Sequence, residues 1–307
     1  MGILGESGVE APVDRAPAVG EEWIAVVNAE LGDNSLILAR SELNSNDDIV
    51  QLTQTQVFTR TNNPISISAD GSSILFIDAD NFIRSIRPDG SGEQILSQRG
   101  EWASIALSPD GRRLAATTVF RDSMLFVFDL EDPAQGKAIH LYNPTTQQDV
   151  RAFVTRFADA LDWDHEGQFV LFDAFNTVDG DSTTLEFWRI NVLDVDNELI
   201  VPVFPAQPPN INLGNPSVAQ TNDNFFTFDR VDFDADIGEI WAVDLFSGTA
   251  ELVERNGDSI GHPQYSPDDK ELVFQRQEGG VETLRRVPLQ EDKIRASGAS
   301  VPYASGA

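Results

Sequence analysis

The 307-residue chain has no cysteine at all, which excludes disulfides, thiolate metal sites and thiol nucleophiles together, and leaves its redox compartment unreadable. Lysine is nearly absent: only Lys137, Lys270 and Lys293 occur. Lys and Arg total 21 against 50 Asp and Glu, a formal net charge of -29 with no compensating basic block, so nucleic acid is excluded as a partner. Long apolar runs are missing too. Trp23 to Val27 is about a quarter of the roughly 20 residues a membrane helix needs, so no membrane span is expected. Met1 to Gly20 has neither a basic start nor an apolar stretch, so it does not read as a secretory leader; the chain is either cytoplasmic or met after leader removal. Residues 1–20 are expected to be an extended, flexible segment and residues 21–307 a single domain. The Lys-poor acidic surface suits a chain that stays hydrated in high salt, or one that uses acidic loops against aggregation.

What is present is a repeat. Ile67-Ser68-Ala69-Asp70-Gly71 before Ile74-Leu75-Phe76, Leu107-Ser108-Pro109-Asp110-Gly111 before Leu114-Ala115-Ala116, and Tyr265-Ser266-Pro267-Asp268-Asp269 before Leu272-Val273-Phe274 share one pattern. Degenerate copies run from Trp163 to Phe172 and from Ala219 to Phe228, and a worn copy lies at Gly20-Glu21-Glu22. Tight-turn positions at Gly71, Gly111, Gly167, Asp223 and Asp269 are 40, 56, 56 and 46 residues apart. That brackets and exceeds the roughly 40 to 45 residues of a four-stranded propeller blade, with the excess in loops. Proline presets the turn dihedral and glycine supplies positive φ, so each unit opens with a hairpin. Alternating runs such as Leu125 to Leu130 and Glu239 to Asp244 supply third strands, and shorter runs such as Glu93 to Leu96 a fourth. Only Val150 to Ala160 has spacing that suits a short helix. Small β-meanders cannot bury both faces alone, so the units must stack around an axis.

The Ser-Pro-Asp-Gly turn followed by an apolar triplet resembles the repeat of TolB-type β-propellers, which also occurs in prolyl-oligopeptidase-like propellers and oligogalacturonate lyases. The likeness covers about residues 20 to 307. It implies an all-β fold of six four-stranded blades, and a periplasmic or extracellular binding component whose partner is another protein. The first copy shows strands at Trp23 to Asn28, Ser35 to Arg40 and Asp48 to Leu52 but no innermost one. The tail Val301-Pro302-Tyr303 resembles Gln264-Tyr265, so residues 300–305 are expected to complete the first blade and close the ring through both termini.

Chemistry-bearing residues are few. Gly257-Asp258-Ser259-Ile260-Gly261 fits the nucleophile-elbow pattern but precedes a propeller strand, with no helix to follow. The histidines His140, His165 and His262 do not meet in the repeat frame, which argues against the histidine-held metal that the lyase resemblance brings. Asp232, Asp234 and Asp236 alternate onto one side of an extended segment and are the candidate calcium ligands, although their spacing departs from an EF-hand loop; otherwise no cofactor is expected. His262 and Tyr265 at the start of an innermost strand, and Phe204 in the proline-rich stretch Pro202 to Pro209, are the candidate binding residues. Two functions remain open: a non-enzymatic docking scaffold, and a carbohydrate-active lyase or glycosidase using paired carboxylates at the channel mouth.

Overall fold

The computed structural model describes residues 23–32, 35–42, 49–57, 64–132, 135–141, 153–179, 184–205, 207–208 and 210–303. The expected N-terminal segment 1–20 lies outside them. Among the described residues all regular structure is β and every sheet pairing is antiparallel.

The sequence reading of six four-stranded blades is corrected to five. Blade 1 holds β4 (Ile65–Ile67), β5 (Ile74–Ile77), β6 (Ile83–Ile86) and β7 (Gln94–Ile95). Blade 2 holds β8 (Trp102–Leu107), β9 (Arg113–Thr118), β10 (Met124–Asp129) and β11 (Lys137–His140). In blade 3 the strands are β12 (Phe153–Trp163), β13 (Phe169–Asp179), β14 (Thr184–Asp194) and β15 (Leu199–Pro202). Blade 4 comprises β16 (Ile211–Val218), β17 (Phe225–Asp232), β18 (Ile237–Asp244) and β19 (Thr249–Arg255). Blade 5 is β20 (Gln264–Tyr265), β21 (Glu271–Glu278), β22 (Val281–Pro288) and β23 (Val301–Pro302). Ahead of them β1 (Trp23–Gly32), β2 (Ser35–Glu42) and β3 (Ile49–Gln56) form, among the described residues, a sheet of three strands.

The tail explains that count. Val301 and Pro302 pair with Arg286 and Arg285 of β22, and the Tyr303 N–H donates to the Leu284 carbonyl, so the C-terminal strand is the outer edge of blade 5. The expected closure, with residues 300–305 completing the N-terminal sheet, is therefore overturned. A local return of the chain, tied by the Leu289–Ala296 bridge and by Arg285 bonded to Ser300, brings the tail back to β22. The expected helix at Val150 to Ala160 is also overturned where described: Phe153–Trp163 is a strand. It carries bulges between Thr155 and Phe157 and between Ala158 and Leu161.

The first strands of successive blades neighbour one another, β4 with β8, β8 with β12, β12 with β16 and β16 with β20. Their apolar side chains join β-strand residues of adjoining blades in continuous clusters, as Ala106, Leu125 and Val127 do with Leu161, Val170 and Phe172. Trp163 is buried and its indole N–H donates to the Ala106 carbonyl of blade 2. The repeat turn works by bonding within itself. Ser108 Oγ donates to Asp110 and accepts the Arg113 N–H, while Asp110 accepts the Arg112 N–H; Ser68 with Asp70 and Ser266 with Asp268 repeat this. In blade 3, Asp164 replaces the serine and accepts the Phe169 N–H. At the glycine position blade 5 has Asp269, held at φ 57°. Its buried carboxylate accepts from Gln220 N–H, from the Thr221 N–H and hydroxyl, and from Lys293, joining blade 5 to blade 4.

Candidate functional site

Antiparallel order fixes which loops share an end. Turns between second and third strands, and connections from a fourth strand to the next blade's first, lie at one end; the Ser-Pro-Asp-Gly turns lie at the other. The first end carries the candidate site.

Inside that end runs a seam of buried carboxylates that the sequence reading missed. Asp173 of β13 accepts the Ala160 N–H at 2.8 Å and the Asn215 N–H of blade 4 at 2.9 Å. Both donors sit in bulges, Ala160 between Ala158 and Leu161, Asn215 between Gly214 and Ser217, where the ladder leaves N–H groups unpaired. Gly214 permits the approach, since a Cβ there would stand 2.9 Å from the Asp173 carboxylate. One blade further on, Asp229 of β17 accepts from Asn215 Nδ2 (2.9 Å), Gly261 N–H (2.8 Å) and His262 N–H (2.9 Å). Ser104 of blade 2 donates to Asp159 and so extends the seam. Burial pushes the Asp229 carboxyl up to about 6; burial and the neighbouring Asp159 charge raise Asp173 as well. Asp162, which accepts the Val218 N–H of blade 4, is likewise pushed up by burial to about 6.

His262 stands where the seam meets blade 5. Its φ of 44° is in the left-handed region that a non-glycine residue rarely adopts, and the Asp229 bond holds it there. Burial pushes its imidazole down to about 4, so the ring is neutral at physiological pH. The other candidate binding residues do not join it. Tyr265 is buried among Ala219, Leu272, Phe274 and Val287, donating its hydroxyl to the Lys293 carbonyl, and burial raises its pKa strongly. Phe204 packs 5.0 Å from Phe228 and 6.0 Å from Phe226, pinning the proline-rich connection against blade 4.

Asp232, Asp234 and Asp236 form the β17–β18 hairpin tip. Asp232 accepts the N–H groups of Asp234 and Ala235, Asp234 accepts from Asn210, and Asp236 takes φ 54° to close the turn. Among the described residues, no three His, Asp or Glu side chains converge in a way that would hold a metal ion. The tip and the chain before β16 border a shallow, open cleft of about 440 Å³ lined by Pro208, Ile211, Arg230, Asp232, Asp234 and Ala235. Arg230 bonds the buried Glu239 at 2.9 Å, and Arg255 meets the same carboxylate at 3.2 Å. Loop 256–262 abuts this tip: the Gly238 N–H donates to the Gly257 carbonyl, and a Cβ on Gly238 would fall 2.1 Å from the Ser259 oxygen.

No family model matches this chain, and no curated protein matches it by sequence. Solved structures are. TolB from Acinetobacter baumannii superposes with a TM-score of 0.64 at 12% identity over 92% of this chain; the chain spans 63% of that protein's length. An oligogalacturonate lyase in complex with manganese gives a TM-score of 0.56 at 14% identity, covering 89% of this chain and 87% of that one. A chain of a nidogen/laminin complex gives 0.56 at 11% identity, with 90% and 96% covered. At these identities the likeness defines the fold, a β-propeller of four-stranded antiparallel blades, and nothing narrower.

Proposed function

We propose that this chain is a non-enzymatic β-propeller that docks another protein, in the manner its TolB-type repeat suggests, and that it works in the periplasm or outside the cell. The observation that carries this reading is exposed apolar surface on loops of that end: Phe120 (67% exposed) between β9 and β10, Phe233 (61%) at the β17–β18 tip and Ile260 (48%) ahead of β20. A second support is the fate of the buried carboxylates. The oxygens of Asp173 and Asp229 are taken up by N–H donors, from Ala160 and Asn215 within their own blades and from Asn215, Gly261 and His262 across to the next blade or the loop leading to it, which fits a role in holding blades together rather than in moving protons to a substrate. No described helix is long and apolar enough to cross a membrane.

The test is affinity capture from the native envelope fraction with the wild-type chain and with the Phe120→Ser/Phe233→Ser/Ile260→Ser variant. A partner lost with that variant supports docking, whereas identical capture by both proteins refutes it. The alternative, a carbohydrate-active enzyme, draws on the paired acids Asp232 and Asp234 beside the cleft and on the likeness to the lyase fold. Ultraviolet absorbance of unsaturated products from acidic oligosaccharides, abolished by Asp234→Asn, would establish it instead.

A further inference from the structure

We infer that the blade 4 cleft receives a basic side chain, lysine or arginine, flanked by an apolar residue in an extended segment of the docked protein; this rests on the docking reading above. Three independent features converge on it. The cleft is a shallow, open depression with a mixed lining, in which Pro208 and Ala235 supply exposed apolar surface beside the buried Ile211. Phe233, on the same hairpin tip, is 61% exposed and offers a face for an apolar neighbour or for the cation itself.

The charge balance at the rim is negative. Both nearby arginines are already neutralised: Arg230 lies between Glu239 (2.9 Å) and Asp232 (3.9 Å), and Arg255 also pairs with Glu239. Asp234 in the lining, Asp236 on the same hairpin tip and Asp258 on the loop that abuts it have no ion-pair partner among the described residues. Loop 256–262, which carries Asp258 and Ile260, is fixed against the tip through Gly238, so this acidic and apolar rim is assembled before any partner arrives. Preorganisation of that kind lowers the ordering cost of binding. An acidic segment would meet repulsion both here and from the -29 charge of the whole chain, which makes a basic one the complementary occupant.

The experiment uses the full chain and fluorescence anisotropy with three labelled ten-residue probes, alternating Lys/Leu, Lys/Ser and Glu/Leu. The Lys/Leu peptide should bind most tightly, and Glu/Leu should not bind. Asp234→Lys should weaken Lys/Leu binding at least tenfold and Phe233→Ser at least threefold. Phe246→Ser, an exposed site on the opposite end, should leave binding unchanged. Equal Lys/Leu affinity for wild type and Asp234→Lys would show attraction to the overall charge and overturn the cleft. Equal affinity of Lys/Ser and Lys/Leu would overturn the apolar component, and absence of peptide binding would overturn the whole inference. The two readings separate cleanly: a partner captured through Phe120 while Asp234→Lys changes nothing leaves docking standing without this cleft. Identical capture by the triple-serine variant removes docking whatever the peptides do.

Discussion

The two ends of the blades follow different rules. At the end that carries the Ser-Pro-Asp-Gly turns, the serine and the first aspartate of the turn bond to each other and to their own backbone, and Asp269 of blade 5 is the exception that reaches into blade 4. Ser108 and Asp110 bond to one another and to the N–H groups of Arg112 and Arg113, and a Cβ added at Gly111 would meet nothing within 4 Å. At the other end Asp78 and Asp232 close their own turns, but the buried acids reach further: Asp229 takes its donors from residues 14, 32 and 33 positions away, and Gly238 has the next blade's approach loop pressed against it. A self-contained turn can be copied from unit to unit and is therefore visible as a repeat. An end built from contacts between blades is specific to this chain, and function has room there.

The comparison can be broken most severely at Asp229. Asp229→Ala should strand three donors, Asn215 Nδ2 and the N–H groups of Gly261 and His262, and cost about 3 kcal/mol or more in denaturant unfolding. Gly238→Ala comes next, at roughly 2–3 kcal/mol, because its Cβ would collide with backbone at 2.1 Å rather than with a side chain that can move. The matching change at the other end, Gly111→Ala, meets open space and only the strain of φ 70°, so about 1 kcal/mol is expected. Asp110→Ala should cost about 1 kcal/mol or less for the lost turn bonds.

Proton linkage sharpens the contrast. Asp229 and Asp162 have folded-state values of about 6, above the roughly 3.9 of an unfolded aspartate, so the folded state binds more protons between these values. Their contribution therefore grows as pH falls from about 7 towards 4. His262 acts in the opposite sense, its folded value of about 4 lying below the usual 6.5, so it withdraws stability over the same fall. With Asp173 also raised, the carboxyls outnumber the imidazole and melting temperature should climb from pH 8 to about 5. In the repeat turns the serine hydroxyl and N–H bonds hold Asp70 below its ordinary value, and Lys270 does the same for Asp268. Their stabilisation should vanish below about pH 4. Asp229→Asn should flatten the rise and leave the acid limb intact; a melting temperature that falls steadily from pH 8 downwards would contradict the assignment.

How much of this was legible in the sequence follows the same division. The turn and its triplet disclosed the blades, and the strands expected at Trp23 to Asn28, Ser35 to Arg40 and Asp48 to Leu52 lie within or overlap β1, β2 and β3. The helical spacing near Val150 was an artefact of bulges. Val154, Phe157, Ala158 and Leu161 recur at helical intervals because two extra-residue bulges shift the alternation of β12. The tail's likeness to Gln264-Tyr265 was weaker than the local connection that returns it to β22. The buried seam did leave a trace in the residue immediately after each apolar triplet. That column reads Ile77, Thr117, Asp173, Asp229 and Gln275, polar in every blade but the first, where a strand facing a dry interior calls for an apolar side chain. Which backbone groups those side chains serve depends on bulges in another blade, and no local pattern encodes that.

Asp269 carries a warning for anyone who would regularise this chain. Averaging its repeats would write glycine at that position and ease a backbone held at φ 57°. The same edit would release Gln220, Thr221 and Lys293 from their common anchor. An idealised sequence would gain a more comfortable corner and lose a rivet between two neighbouring wedges.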